Sequence, residues 1–131
     1  MRIYLAASFR TQELMRKIAG QIEEGGQHKV VSRWIYQDDK EQSVKDGLVV
    51  DFVMAVRHAR KDIEDIRRSD LVAIFTGVSS STGGLHFEHG LVYALARNYV
   101  IVGPITSVFL ALPACLEHFD TEKEFVAWLQ M

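Results

Sequence analysis

The chain has one cysteine, Cys115, so no disulfide can close within it, which suits a reducing cytosol. It has no His/Cys cluster at the spacing of a zinc site. It has no excess of either sign of charge: Lys and Arg number 15, Asp and Glu 17, and the formal net charge is −2. That balance gives no bulk attraction to nucleic acid or to an anionic membrane, so a charged ligand must be met locally. No apolar run approaches the length of a membrane span. The stretch "IYLAA" is too short for a signal peptide, and Arg10 follows it closely. Internal repeats and low-complexity tracts are missing as well. These absences predict a cytoplasmic protein that meets a small molecule and has no metal, no polymeric nucleic acid and no membrane as partner.

What is present is an ordinary globular composition, 48% apolar and 24% charged over 131 residues, enough for one domain spanning 1–131. Short apolar runs alternate with helical spacing. "RIYLAA" (2–7) reads as a strand, and 11–24 as a helix through Leu14, Ile18 and Ile22 that Gly25 and Gly26 stop. "KVVSRW" (29–34) reads as a second strand. Residues 51–70 form a long amphipathic helix with Phe52, Val56, Ala59, Ile63 and Ile66 on one side. "LVAIFT" (71–76) is a third strand, apolar throughout as burial on both faces requires. A helix from about Phe87 to Arg97, a strand at 99–103, a turn around Val108–Leu112, a weak edge strand near "CLEHF" and a helix over 121–130 complete the chain. The segment 35–50 fits no period and reads as a surface loop. The βαβα rhythm predicts a parallel sheet covered by helices on both faces.

In such sheets ligands bind beyond the carboxyl ends of the strands, where strand order reverses. Three segments qualify: "ASFR", "TGVSSSTGGLHFEHG" and "GPITS". In the longest, Gly83 and Gly84 permit a tight turn and close ligand approach, and Glu88 follows at a helix start. Glu88 is either a reacting carboxylate there or a first-turn acid that complements the helix dipole. The glycines match neither a dinucleotide fingerprint nor a P-loop, since no Lys-Ser/Thr follows them. His86 and His89 flank the acid and serve either catalysis or structure. Asp62 is either a functional acid or part of a solvated helix face. Ser8 and Arg10 could hold a phosphate, or Ser8 or Thr11 could cap the first helix. The apolar Val108, Phe109, Leu110 and Leu112 either pack on the chain's own core or meet a second copy.

The order of "IYLAASFR", "KDIEDIRRSDLVAIFTG" and "STGGLHFEHGLVYALARNYVIVGP" resembles the nucleoside 2-deoxyribosyltransferase family and its relatives, the 2'-deoxynucleoside 5'-monophosphate N-glycosidases. The resemblance covers nearly the whole chain and is weak only in 35–50. It implies a flavodoxin-like α/β fold, a doubly wound parallel sheet of about five strands with helices on both faces. It implies a double displacement at an N-glycosidic bond, with no cofactor. Glu88 in "FEHG" matches the family's nucleophile. Asp62, eight residues before Asp70, matches an aspartate near the leaving base. Tyr4 matches a tyrosine beside the nucleophile. Ser107 falls where the family lends a polar residue to a neighbouring subunit's site, which implies a homodimer or larger homo-oligomer.

Ser8, Phe9, Arg10, Trp34, Thr82, Gly83, Gly84, His86 and Ser107 are the substrate-binding candidates. Two departures favour a nucleotide. Thr82 stands where the transferases carry an Asp and the glycosidases a Ser, and "SFR" at 8–10 resembles the glycosidases' phosphate turn. Trp34 stands where the glycosidases have His, which leaves the base open. In such a reaction a carboxylate stabilises or bonds the oxocarbenium-like carbon while a second acid protonates the departing base. A 2'-hydroxyl would crowd Glu88, so deoxyribose is the expected sugar, passed to another base or to water. The rival reading is a non-catalytic nucleotide-binding or sensing module, which a missing Glu88 or Asp62 would have favoured.

Overall fold

The computed structural model describes residues 1–37, 43–46, 48–77 and 84–131. In chain order its elements are β1 (Arg2–Ala6), α1 (Gln12–Glu23), β2 (Lys29–Val30), β3 (Val44–Lys45), β4 (Leu48–Val49), α2 (Phe52–Arg68), β5 (Leu71–Phe75), α3 (Gly84–Ala94), β6 (Asn98–Val102), β7 (Cys115–Phe119) and α4 (Glu122–Leu129). Five strands form one parallel sheet in the order β2-β1-β5-β6-β7. The expected flavodoxin-like α/β architecture is what forms. Every residue of β5 is buried, and α1 turns Met15, Ile18, Ala19 and Ile22 onto the sheet. Helix α1 packs with α4, and α2 with α3. Asp51 caps α2 by accepting from the Met54 N–H at 3.0 Å.

The chain runs outward from β1 to β2, then crosses back to β5, so strand order reverses between β1 and β5. Tyr4 of β1 pairs with Val72 of β5 at that seam. The crevice expected there is thus floored by two strands buried at nearly every position.

Several boundaries differ from those the pattern predicts. The second strand pairs only through Lys29 and Val30, and a 3₁₀ turn at Arg33–Tyr36 takes the place of its second half. The reason is chemical. The outer edge of β1 at Leu5 is satisfied by side chains: its N–H donates to Ser32 Oγ at 2.6 Å, and its carbonyl accepts the Trp34 indole N–H at 2.7 Å. Two side chains do what more strand would have done. The segment 35–50 is not all loop, since β3 and β4 pair antiparallel within it. On α2 the apolar side is not buried along its length: Ile66 is enclosed, but Phe52 is 75% exposed. Neither Ser8 nor Thr11 caps with its side chain; the Thr11 hydroxyl instead donates to the Ser8 carbonyl at 2.6 Å.

At the end of β6, Gly103 takes φ +112, and a Cβ there would lie 2.8 Å from the Gly77 nitrogen and Thr76 Oγ1. Only glycine fits this close approach of the loops that follow β5 and β6. Thr76 Oγ1 donates to the Pro104 carbonyl across the same gap. The segment leading to Ser107 is therefore tied to the crevice rim.

Candidate active site

Three elements bring acids and a phenol together. Tyr4 projects from the middle of β1, fully buried, and its hydroxyl donates to Glu88 Oε2 at 2.5 Å. The bond becomes roughly twice as strong when Glu88 ionises, since a charged acceptor strengthens it. Glu88 reaches inward from α3, half-buried, and its Oε1 has no hydrogen-bond partner among the described residues. Helix α3 begins at Gly84, three residues earlier than the pattern predicts, so Glu88 lies a full turn inside. It is therefore not a first-turn acid answering the helix dipole, and its link to Tyr4 accounts for its placement better.

Asp62 on α2 is the second carboxylate, also half-buried. Burial first, then the nearby charge of Asp65, pushes its pKa up to about 7, against the opposing pull of Arg33 and Lys61. Burial first, then Asp62, pushes Glu88 up to about 8, although the Tyr4 hydrogen bond works the other way. Burial, then the charges of Glu88 and Asp62, holds the Tyr4 phenol well above its ordinary value, so it remains a donor. The crevice therefore favours a form in which the two carboxyl groups share one proton near neutral pH.

The remaining predicted residues are placed as follows. Ser8 and Phe9 are half-buried at the end of β1. Arg10 is exposed and makes no hydrogen bond or ion pair among the described residues, so its guanidinium can meet a ligand. Trp34 is 6% exposed, its N–H is committed to Leu5, and its ring lies 6.3 Å from that of Phe9. Gly84 opens α3, with nothing within 4 Å of where a Cβ would stand. Thr82 and Gly83 lie outside the described residues. His86 is exposed, whereas its companion His89 is buried edge-to-face against Tyr99 at 4.9 Å. Burial, then His86, keeps His89 below its ordinary pKa, which suits a neutral core histidine. Ser107 caps the 3₁₀ turn Val108–Leu110 by accepting from the Phe109 N–H at 3.3 Å.

Asp65 and Gln12 are among the buried polar groups that the sequence did not single out. Asp65 is fully buried on α2 and bound by Arg33 and Arg68. Gln12 on α1 donates to the carbonyls of Trp34 and Gln37 at 2.8 and 2.9 Å. Their partners lie 32 and 22 residues away for Arg33 and Trp34, beyond any local pattern. Among the described residues no group of three His, Cys, Asp or Glu side chains could hold a metal ion. No helix there is long and apolar enough to cross a membrane.

The Glu88 carboxyl has a consequence for stability. Between its ordinary value of 4.5 and about 8 the folded state holds a proton that the unfolded state has lost. More protons bound in the folded state means that stability falls as pH rises through that interval. Glu88→Gln should therefore be more stable than the parent at pH 8, and nearly equal to it at pH 4. The gain at pH 8 should be several kcal/mol and at most about 4, since each tenfold change in proton affinity is worth about 1.4 kcal/mol. Denaturant titrations at the two pH values check this; no gain at pH 8 would show that Glu88 is not held against ionisation.

No family model and no curated protein matches the sequence. Solved structures do. The Clostridium botulinum CMP N-glycosidase superposes with a TM-score of 0.64 at 18% identity, over 100% of both chains. A 2-deoxyribosyltransferase from Bacillus psychrosaccharolyticus gives 0.68 at 21%, over 98% of this chain and 96% of that one. A conserved protein from Enterococcus faecalis V583 gives 0.61 at 13%, over 99% and 97%. At these identities the likeness is one of fold, and the chain has the flavodoxin-like α/β fold found in an N-glycosidase and a 2-deoxyribosyltransferase.

Proposed function

We propose that this chain is an enzyme of the nucleoside 2-deoxyribosyltransferase family, cleaving the N-glycosidic bond of 2'-deoxynucleosides or their 5'-monophosphates through a glycosyl ester on Glu88. The observation that carries the reading is the Tyr4–Glu88 hydrogen bond at 2.5 Å, set beside Asp62 at the reversal of strand order. Tyr4 occupies Oε2, which leaves Oε1 to attack the anomeric carbon. As the C1'–O bond forms, the C1'–N bond breaks and its electron pair leaves with the base, which takes a proton from Asp62 directly or through water. Water or a second base then attacks C1', Glu88 departs as a carboxylate, and the incoming group's proton returns to Asp62.

The shared proton fits this chemistry with one adjustment. In the empty crevice Glu88 holds its proton to about 8 and Asp62 to about 7, the reverse of their roles. Positive charge developing at the anomeric carbon lies against Glu88 and favours its ionised form, so substrate moves the proton toward Asp62. Glu88→Ala should abolish turnover with an unchanged circular dichroism spectrum. In the parent, kcat/KM should rise with pH as the first proton leaves the pair and fall as the second leaves, with limbs near 7 and 8. Asp62→Asn should lower the rate most for poor leaving bases and erase the alkaline limb. A panel of deoxy- and ribonucleosides and their monophosphates, with and without an acceptor base, is the assay. Near-normal turnover by Glu88→Ala would overturn Glu88 as the nucleophile, whereas no turnover of any substrate by the parent would leave only the binding module.

Support for a 5'-phosphate comes from Arg10, exposed and unengaged among the described residues, beside a Ser8 that caps nothing. Charge-assisted bonds contributing roughly 2–4 kcal/mol in all would favour monophosphates over nucleosides by roughly 30- to 900-fold in kcat/KM. Arg10→Ala should remove most of that preference and spare nucleoside cleavage. A preference for unphosphorylated nucleosides, with transfer to a free base, would place the chain with the transferases instead.

Assembly is the last part of the reading. Leu110 packs into the core, but Val108 is 80% and Phe109 69% exposed beside Ser107. We take this patch to lie against a neighbouring copy's crevice. Light scattering should report a dimer or larger, and Phe109→Glu should dissociate it with loss of turnover; a fully active monomer would contradict the assignment.

A further inference from the structure

The 3₁₀ turn Arg33–Tyr36 is held from three sides by long-range bonds. From α1, Gln12 reaches the Trp34 carbonyl at 2.8 Å and Arg16 the Ile35 carbonyl at 2.9 Å. Toward β1, the Trp34 indole donates to the Leu5 carbonyl, next to Tyr4. From α2, Asp65 accepts the Arg33 backbone N–H at 3.0 Å and its Nε at 2.9 Å, and pairs with Nη2 at 2.9 Å. Arg68 adds a bond to Asp65 at 3.0 Å, and Glu64 lies 3.5 Å from the Arg33 guanidinium.

Asp65 stands on α2 three residues after Asp62, so both face the same side of the helix. We propose that Asp65 and Arg33 are a positioning pair: the buried carboxylate locks the Trp34 turn onto α2 and sets a fixed charge beside Asp62, so that Asp62 is placed and poised relative to Tyr4 and Glu88. The inference rests on reading Asp62 as the acid that protonates the departing base.

Mechanical joining alone would not call for a charge. A buried ion pair is a weak stabiliser, and packed apolar side chains hold two elements at least as well. What apolar packing cannot supply is a field. The charged and titratable groups around Asp62 are Tyr4 from β1, Glu88 from α3, Arg33 from the turn, and Lys61 and Asp65 from α2 itself, with His58 one turn earlier. Within this set Asp65 raises the Asp62 pKa, whereas Arg33 and Lys61 lower it. Burial is the largest influence that keeps Asp62 protonated into the neutral range, and on top of it the pair applies two opposed charges, Asp65 raising and Arg33 lowering.

Opposite substitutions should move Asp62 in opposite directions. Asp65→Asn removes the raising charge and should lower the Asp62 midpoint by roughly half a pH unit or more. Arg33→Gln removes a lowering charge, keeps a hydrogen-bonding group toward Asp65, and should raise it. Carbon-detected NMR of the Asp62 carboxyl in the substrate-free protein reads the midpoints, and the alkaline limb of kcat/KM reads the consequence. General loosening of the fold would not shift two variants in opposite senses. Midpoints that stay put, or move the same way in both variants, overturn the pairing and leave the acid role intact. Midpoints that separate while the kinetic limb stays fixed uphold the pair's action on Asp62 and overturn the acid role. Should Asp65→Asn fail to fold, Asp65→Glu, which keeps the charge, should fold and leave the midpoint near the parent's; a clear fall in the midpoint there would overturn the proposal.

Discussion

Two carboxyl groups in one crevice, largely withdrawn from water, cannot both be charged cheaply near neutral pH, and much of the structure follows from how that is handled. Withdrawal from water is the largest influence on each, and the charge of a nearby acid adds to it, so a proton is retained into the neutral range. The fold offers Glu88 a phenol donor and Asp62 a neighbouring buried acid, two different solutions for two groups of the same kind. Tyr4 can serve only because β1 is central: buried on both faces, its phenol cannot reach water and its hydrogen bond is spent on Glu88.

That position in turn depends on how β1 is completed at its outer edge. With β2 limited to two residues, Leu5 would expose an unpaired N–H and carbonyl next to the site, each costly if buried without a partner. Ser32 and Trp34 close the edge with side chains. Because side chains do it, the backbone beyond Val30 is free to turn away, and the Trp34 turn reaches α2 through Arg33. A longer strand would have left no such turn between β1 and the helix that carries Asp62.

The sequence made the sheet legible because β1, β5 and β6 are apolar at nearly every position, the mark of strands covered on both sides. Tyr4, Asp62 and Glu88 were legible through their motifs, although no periodicity would have joined residues 84 positions apart. What stayed hidden has a common cause. "KVVSRW" has strand-like composition, and its truncation is set by an indole and a hydroxyl finding Leu5. Gly83 and Gly84 signal a turn, yet Gly84 is already helical, which displaced the predicted start of α3 and the reading of Glu88 as a dipole partner. Asp65 was indistinguishable from Glu64 in a charge-rich helix: both meet the Arg33 guanidinium, and what sets the buried acid apart is its bonds to the distant Arg33 backbone N–H and Nε.

The helices that carry the two carboxyl groups are also those least enclosed by their own chain. Helix α1 buries five residues, whereas α2 buries only Asp65 and Ile66 over a greater length, and α3 only His89 and Val92. Phe52, Val53, Phe87 and Tyr93 are all more than half exposed on these two helices. Local stability follows buried apolar contact, so α2 and α3 are the helices least held against the sheet by burial. A shift of either would alter the spacing of Asp62 and Glu88, on which the shared proton depends. Bonds that cross from these helices to the rest of the fold therefore matter beyond their own small energies: Tyr4 to Glu88 for α3, and Arg33 to Asp65 for α2. Each crosses to a part of the fold that the core already fixes, and each ends beside a carboxyl group whose proton decides what the site can do.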